Sequence, residues 1–565
     1  MAGSKRPWLV NYAPGVPHDI EEPHESLAHV IEQSVTRYSC RAALEFFGAT
    51  TSYAELGSQI ERAAEGLRSR GVRAGDRVAL ILPNCPQHVV AYYAVLRLGA
   101  VVIEHNPFYT PRELRHQFED HGARVAIAWD RVCSTVAAFP DDLSVTTVIS
   151  VDLTKAMPLL KRVALRLPIA AARTARAALT GPASGTSAWE DLLKHRPIKK
   201  SVPRPQVNDL ALIQYTSGTT GAPKGAMLSH ANLAANAAQG RAWVPTEQRG
   251  TAVVYAVLPL FHAYGMTLCL NFAISMGARL VLFPKFDPDL VLAVVRKRPA
   301  TFLPAVPPIC DRLNAAAAQK GVSLRGIKIA ISGAMSLPES LVEPWERATG
   351  GYLVEGYGLS ETSPVLIANP VSPARRAGTV GLPLPSTEVC IVDPADISIV
   401  RAPGEEGELI ARGPQVFSGY WNKADETATV LTADGWFRTG DIAVMDRDGF
   451  VRIVDRIKEL IITGGFNVAP SEVEDCLRAA PGVADVAVVG LPRAGGDENV
   501  VAAILLKPGA PFDEVAIRGW ARENLAAYKV PRRVVQVDEL PRSIIGKVLR
   551  RAVRQNLMSA SQQTK

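Results

Sequence analysis

What this sequence lacks narrows its chemistry first. Its seven cysteines (Cys40, Cys85, Cys133, Cys269, Cys310, Cys390 and Cys476) are scattered, and no two form a CxxC pair. A dispersed, odd set reads as reduced thiols in a cytosolic protein and excludes a disulfide scaffold. None stands beside an obvious activating base, which argues against a thiol nucleophile. The ten histidines show no HExxH or other metal-ligand spacing. No run reaches the ~20 apolar residues of a membrane span. The most apolar window, residues 268–283, is broken by Asn271 and Arg279. The first twenty residues offer only Trp8-Leu9-Val10 where a secretory signal needs an apolar core, so no such signal is expected. A net charge of +7 in 565 residues is mild, and nucleic-acid binding is not indicated.

What is present is material for a large core. Apolar residues make up 47% and charged residues 21%, an ordinary globular balance, and the length implies three or four packing units. Helical and strand patterns alternate over residues 26–140. "DRVALILP" is a buried strand, and "HVVAYYAVLRLGAVV" is an apolar helix running to Gly99 and then a strand. Alternation of this kind implies an α/β layered unit with a parallel sheet. The pattern resumes at "LALIQYTSG", "HANLAANAAQ", "IKIAISGA" and "GYLVEGYGLSE". After about Val380, short strands with Gly-containing turns predict a small β subdomain. The stretch from "SEVEDCLRAAPG" onward then predicts an αββαβ-like module small enough to be a separate domain. The fold class is therefore α/β, with a large N-terminal domain of layered subdomains and a small α+β C-terminal domain. The expected boundaries are 1–456 and 457–555, with 556–565 an unstructured tail.

Residues 154–189 stand apart. They carry Lys155, Lys161, Arg162, Arg166, Arg173 and Arg176 without one acid, and Pro158 and Pro168 divide them into short helical pieces. One reading is a solvated surface insertion. The other is an interfacial segment drawn to anionic lipid, which would give residues 154–180 a weak peripheral contact at the inner membrane face.

The chemistry gathers at strand ends. "YTSGTTGAPKG" runs a strand into Thr216, Ser217, Gly218, Thr219, Thr220 and Gly221, a series of backbone N–H groups with little side-chain bulk. Such a nest cradles phosphate oxygens, and Lys224 adds charge. It is not a Walker loop, because Lys224 lies between Pro223 and Gly225. In "EGYGLSET", Tyr357 lies between two glycines where a flat purine would fit, and Glu361 is a carboxylate suited to Mg2+. In "GWFRTGD", Asp441 suits the two hydroxyls of a ribose. Each of these acids is also at home capping a turn or lying on the surface. "VDRIKELIITGGFNV" places Arg456 and Lys458 in a polar, hinge-like stretch, and Gly464-Gly465 leaves room for close passage past the backbone. "PRSIIGKVLR" presents Lys547 after Gly546; a solvated surface lysine is the plain alternative.

Taken together these motifs resemble the adenylate-forming superfamily: acyl-CoA synthetases, peptide-synthetase adenylation domains and luciferases. The resemblance spans about residues 26–555 and rests on six ordered motifs, "YTSGTTGAPKG", "PLFHAYG", "YGLSET", "GWFRTGD", "DRIKELIITGGFNVAPSEVE" and "PRSIIGKVLR". Within it, the "RPWLVNY" start, "PLFHAYGMT" and the basic insertion look most like bacterial medium- and long-chain fatty acyl-CoA synthetases. The resemblance implies that ATP and a fatty acid form an acyl-adenylate with release of pyrophosphate, and that CoA then takes the acyl group and AMP leaves. It implies Thr216 and Glu361 on Mg2+, residues 216–224 on phosphate, Tyr357 on adenine, Asp441 with Arg456 on ribose, and Lys547 between the carboxylate and the α-phosphate. His262, Tyr264, Gly265, Gly333 and Gly358 would line the acyl pocket. Gly358 would leave its floor open for a medium-to-long chain, where acetate-activating relatives carry a bulky Trp; the plain alternative is that Gly358 permits a tight turn. Lys458 would be the hinge of a mobile C-terminal domain, and Gly464-Gly465 would face the CoA path. Ile462 stands where some relatives carry a lysine, so any role of that lysine is not inherited. A cytoplasmic location is implied, and a homodimer is left open.

Three alternatives compete. A fatty acyl-AMP ligase would load a carrier protein instead of CoA, but those relatives carry an insertion ahead of the hinge and none stands between Gly435 and Arg456. A non-catalytic nucleotide-binding member would have lost Lys547, Glu361 or Asp441, and all three are present. A luciferase-like oxygenase would need a specialised pocket that sequence cannot show.

Overall fold

The computed structural model describes residues 6–563 apart from 141, 217–222, 248, 464–465, 494–497 and 544–545. Two large sheets organise the N-terminal part. One has seven strands, in the spatial order Ser187–Ala188, Thr147–Val151, Val125–Trp129, Arg77–Ile81, Val101–Glu104, Leu210–Thr216, Lys224–Ser229. Its neighbours are parallel except the last pair. The other has nine strands, parallel through its middle, where Phe302–Ala305, Ile329–Ser332 and Tyr352–Gly358 lie side by side. Strands such as Arg77–Ile81 and Val125–Trp129 are continuous apolar runs because both of their faces are covered. The helix Pro86–Arg97 is buried on every side and touches strands of both sheets, so one core spans the two layers. The helix His230–Trp243 starts from a reciprocal cap, Ser229 accepting from the Asn232 amide while Asn232 accepts from that of Ser229.

Four antiparallel strands, Glu388–Val392, Glu406–Arg412, Phe437–Met445 and Val451–Arg456, form the expected small β subdomain. Beyond it come helix Pro470–Arg478, strands Val483–Pro492 and Glu498–Leu506, helix Glu514–Asn524 and strand Arg533–Gln536. This αββαβ unit encloses a core of its own around Val473, Leu477, Val488 and Ile504. The fold is thus α/β, with a large N-terminal domain and a smaller C-terminal one.

One expectation fails here. Residues 556–563 are not an unstructured tail: a helix runs Arg550–Gln563. Val553 and Leu557 recur at helical spacing and bury themselves against Ala487, Val489 and Val501 of the C-terminal sheet, which the polar "SASQQTK" ending disguised. The basic segment does break as its prolines predict, into helices Leu159–Ala164 and Ala170–Ala177. Among the described residues no helix is long and apolar enough to cross a membrane.

Candidate active site

The residues predicted to hold the nucleotide lie on, or just after, strands of three sheets. Thr216 closes the strand Leu210–Thr216 and lies opposite Lys224 in the antiparallel register. Between them, Ser217, Gly218, Thr219, Thr220 and Gly221 lie outside the described residues. Tyr357 is on the strand Tyr352–Gly358, and Glu361 follows in a single helical turn, Ser360–Thr362. Asp441 faces Arg456 across the pair Phe437–Met445 and Val451–Arg456.

These strands bring two side chains onto one carboxylate. The Tyr357 hydroxyl donates to Asp441 Oδ2 at 2.5 Å, and Arg456 Nε lies 3.1 Å from Oδ1. Asp441 is buried, which pushes its carboxyl above the ordinary range, while the Arg456 charge and the Tyr357 hydrogen bond pull it back. Burial likewise raises Glu361, opposed by a hydrogen bond from the Tyr420 hydroxyl to Oε1 at 2.7 Å. Lys547 comes from the far end of the chain on a tight turn, in which Ser543 N–H donates to its carbonyl at 2.7 Å. Gly546 takes φ +86° there and approaches Pro308 of the N-terminal domain. Lys547 is exposed as a residue, yet surrounding protein displaces much of the water around its ammonium, and with Arg456 nearby this lowers its pKa. Its charge in turn acts on Asp441. Arg550, three residues on, donates to both Glu474 oxygens at 2.8 and 2.7 Å and reaches Asp455 at 3.3 Å. That side chain fastens the C-terminal domain to the strand ending at Arg456. Lys458 lies in the turn Ile457–Glu459 immediately after it.

Of the residues expected around an acyl pocket, Tyr264 and Gly333 pack on each other. The Tyr264 ring lies beneath Gly333, where an added Cβ would meet it at 3.0 Å, and its hydroxyl donates to the Ile331 carbonyl at 2.7 Å. Thr267 ties this helix to the Glu361 turn by donating to the Ser363 carbonyl at 2.5 Å. From Met266 to Asn271 the helix widens into a π-type turn, a feature common at functional sites. His262 begins the helix, and burial lowers its pKa, so its imidazole is neutral near pH 7. Gly265 is required by packing: a Cβ there would lie 2.1 Å from the Pro259 carbonyl oxygen.

Gly358 needs a correction. Its missing side chain does not open a pocket floor. A Cβ would lie 1.8 Å from the Pro364 carbonyl oxygen, so glycine is there because the neighbouring strand passes against it. The tight-approach alternative holds. Gly464 and Gly465 lie outside the described residues.

Three residues at the site went unread in the sequence. Tyr420, from "SGYWNKADET", donates to Glu361 and also lies 4.9 Å beneath the Lys224 ammonium. Glu426 forms an ion pair with Lys224. Glu355, two residues before Tyr357, borders a small cavity of about 40 Å³, and burial pushes its carboxyl up to about 8. Neither spacing nor periodicity marks them, because each acts on a partner distant in sequence or through its burial. Among the described residues no group of three or more His, Cys, Asp or Glu side chains is arranged to hold a metal.

Residues 31–421 match the family model of the AMP-binding enzyme, and residues 472–547 match that of the AMP-binding enzyme C-terminal domain. A long-chain-fatty-acid–CoA ligase of Bacillus subtilis (strain 168) is 37% identical over 556 residues, 97% of each chain. A feruloyl-CoA synthase of Amycolatopsis sp is 34% identical over 91% of this chain and 95% of its own. ATP-bound MatB from Rhodopseudomonas palustris has a TM-score of 0.81 at 30% identity, covering 94% of this chain and 98% of that one. The apo form of the same protein gives 0.71. The structure is thus more similar to the ATP-bound arrangement of that enzyme than to its apo arrangement.

Proposed function

The chain belongs to the AMP-binding enzyme family, and from that premise we propose that it is a fatty acid–CoA ligase acting on medium-to-long chains. The carrying observation is the convergence of Tyr357 and Arg456 on the Asp441 carboxylate with Lys547 presented beside them. In the first step a fatty-acid carboxylate oxygen attacks the α-phosphorus of ATP, the bond to the β-phosphate oxygen breaks, and pyrophosphate leaves. Two anions are pressed together at that moment, and an ammonium between them offsets their repulsion. Lys547 is that group. Asp441, oriented by Arg456, accepts from the ribose hydroxyls; Tyr357 packs on the adenine; Lys224 and residues 216–221 hold the leaving phosphates. In the second step the sulfur of CoA attacks the acyl carbon and AMP leaves, the thiol proton passing to solvent. For this the C-terminal domain, residues 457–555, turns on residues 1–456 at Lys458. Turning withdraws Lys547 and breaks the contact of Arg550 with Asp455.

The site suits Mg2+. That ion keeps several waters and uses one or two carboxylates plus substrate phosphates, so it needs no all-protein cage. Glu361 offers a buried carboxylate with one oxygen held by Tyr420, and the Thr216 hydroxyl is the second protein oxygen. Bound there, the ion would neutralise charge on the leaving phosphates.

A carrier-protein ligase is the second reading. Against it, the strands Phe437–Met445 and Val451–Arg456 join by a short turn, leaving no space for a rotation-limiting insertion. The deciding assay measures pyrophosphate and AMP release over acids from acetate to oleate plus aromatic acids, with CoA or a holo carrier protein as acceptor. AMP release with CoA and a long-chain acid supports the proposal. Turnover only with carrier protein, or preference for acetate or an aromatic acid, rejects it.

A further inference from the structure

We propose that Glu426 is an exchange partner for Lys224: it holds the ammonium while the phosphate loop is empty, yields it to the phosphates of ATP, and takes it back as pyrophosphate departs. The exchange rests on the ligase reading, in which Lys224 holds the leaving phosphates. Lys224 lies opposite Thr216 at the far end of the loop, so any group that holds its ammonium competes with phosphate. Two groups hold it. The Tyr420 ring lies 4.9 Å away, and Glu426 forms an ion pair with it. The ring can stay in place when phosphate arrives, because a cation over an aromatic face keeps its other sides free. The carboxylate is itself an anion, and a triphosphate drawing close to the same ammonium repels it.

The backbone delivers Glu426 to this place. Trp421 N–H donates to the Gly225 carbonyl at 2.8 Å and Met227 N–H to that of Gly419 at 2.9 Å, so residues 419–421 run along the strand that begins at Lys224. Thr427 Oγ1 accepts from the Tyr420 N–H at 2.9 Å and donates to the Lys423 carbonyl at 2.8 Å. These bonds pin the start of the helix Ala424–Val430 to the same strap. The side chains of Lys224 and Glu426 are 27% and 39% exposed, so water screens their attraction. A pair of this kind breaks at little cost, as an exchange requires, whereas a buried pair would hold the ammonium against phosphate. The hydrogen bond from Lys224, helped by the charges of Lys224, Lys423 and Lys458, holds the Glu426 carboxyl below its ordinary range. Lys423 lies 3.9 Å from it, so the carboxylate keeps a cation after Lys224 turns to phosphate.

The test is calorimetric titration of the full chain with ATP and, separately, with pyrophosphate, each with Mg2+ and without fatty acid or CoA, so that binding is read apart from turnover. E426Q should bind both about two- to fivefold more tightly than wild type, the range of an exposed ion pair. E426A, which removes the carboxylate by truncation, should do the same. D425N deletes the neighbouring charge, which is exposed on the same helix, and should move either constant by less than ~1.5-fold. K224Q should weaken binding, and adding E426Q to it should have no further effect. Loss of a merely structural contact would weaken binding, not tighten it. Unchanged or weaker binding by both E426Q and E426A, an equal gain from D425N, or the same gain in the K224Q background would overturn the proposal and leave the ligase reading standing. Wild-type affinity in K224Q alone would overturn the assignment of Lys224 to phosphate, and the proposal with it.

Discussion

The cluster around Asp441 and the segment 154–180 use the same charged side chains in opposite ways. At the cluster all the charges but that of Lys547 are answered: Asp441 by Arg456 and Tyr357, Glu361 by Tyr420, Lys224 by Glu426. In the segment six cations face water with no acid beside them. Burial makes the difference. A carboxylate taken out of water must find donors or lose its charge, whereas an exposed ammonium is satisfied by solvent. A buried, partnered charge is therefore expensive to alter, and an exposed one is cheap to alter unless something outside the molecule uses it.

Substitutions should separate the two regions by size of effect. Asp441→Ala removes the carboxylate on which Tyr357 and Arg456 converge, so kcat/KM for ATP should fall by about two orders of magnitude, ~3 kcal/mol. Steady-state kinetics in varied ATP checks this, and a loss below fivefold would break the contrast. Gly358→Ala should destabilise by about 2 kcal/mol through overpacking against Pro364, seen as a lower denaturation midpoint. Chain-length preference should not move; a stable variant with a shortened preference would restore the open-floor reading. Tyr420→Phe deletes the donor to Glu361 and should cost ~1–2 kcal/mol, appearing as a higher Mg2+ requirement in pyrophosphate release. Unchanged Mg2+ dependence would show that Glu361 does not need this hydrogen bond. Arg162→Gln and Arg173→Gln should shift stability by less than ~0.5 kcal/mol, which urea titration resolves. A larger loss would mean that the segment's charges have partners within the fold.

Much of this was legible in the sequence, and the failures have physical causes. Strand ends announced themselves because buried parallel strands are apolar runs that stop abruptly at Gly-rich turns, as at "LALIQYTSG" and "GYLVEGYG". The αββαβ module was readable from its alternating periods. Gly358 was misread because a sequence shows that a side chain is missing but not which backbone passes there. Tyr420 was missed because its partner lies 59 residues away and Lys224 is farther still, on another sheet. The final helix was missed because two buried apolar residues in a polar stretch are too faint a period.

The central claim is that Lys547 serves acyl-adenylate formation and leaves before the thioester step. The most direct test is Lys547→Ala, assayed separately in the two half-reactions. Losing the ammonium that offsets charge in the first transition state should slow adenylate formation by a factor of hundreds, ~3–4 kcal/mol. Thioester formation from preformed acyl-AMP and CoA should stay within a few-fold of wild type. If both half-reactions fall equally, the lysine is not confined to the first step and the account of the site is wrong.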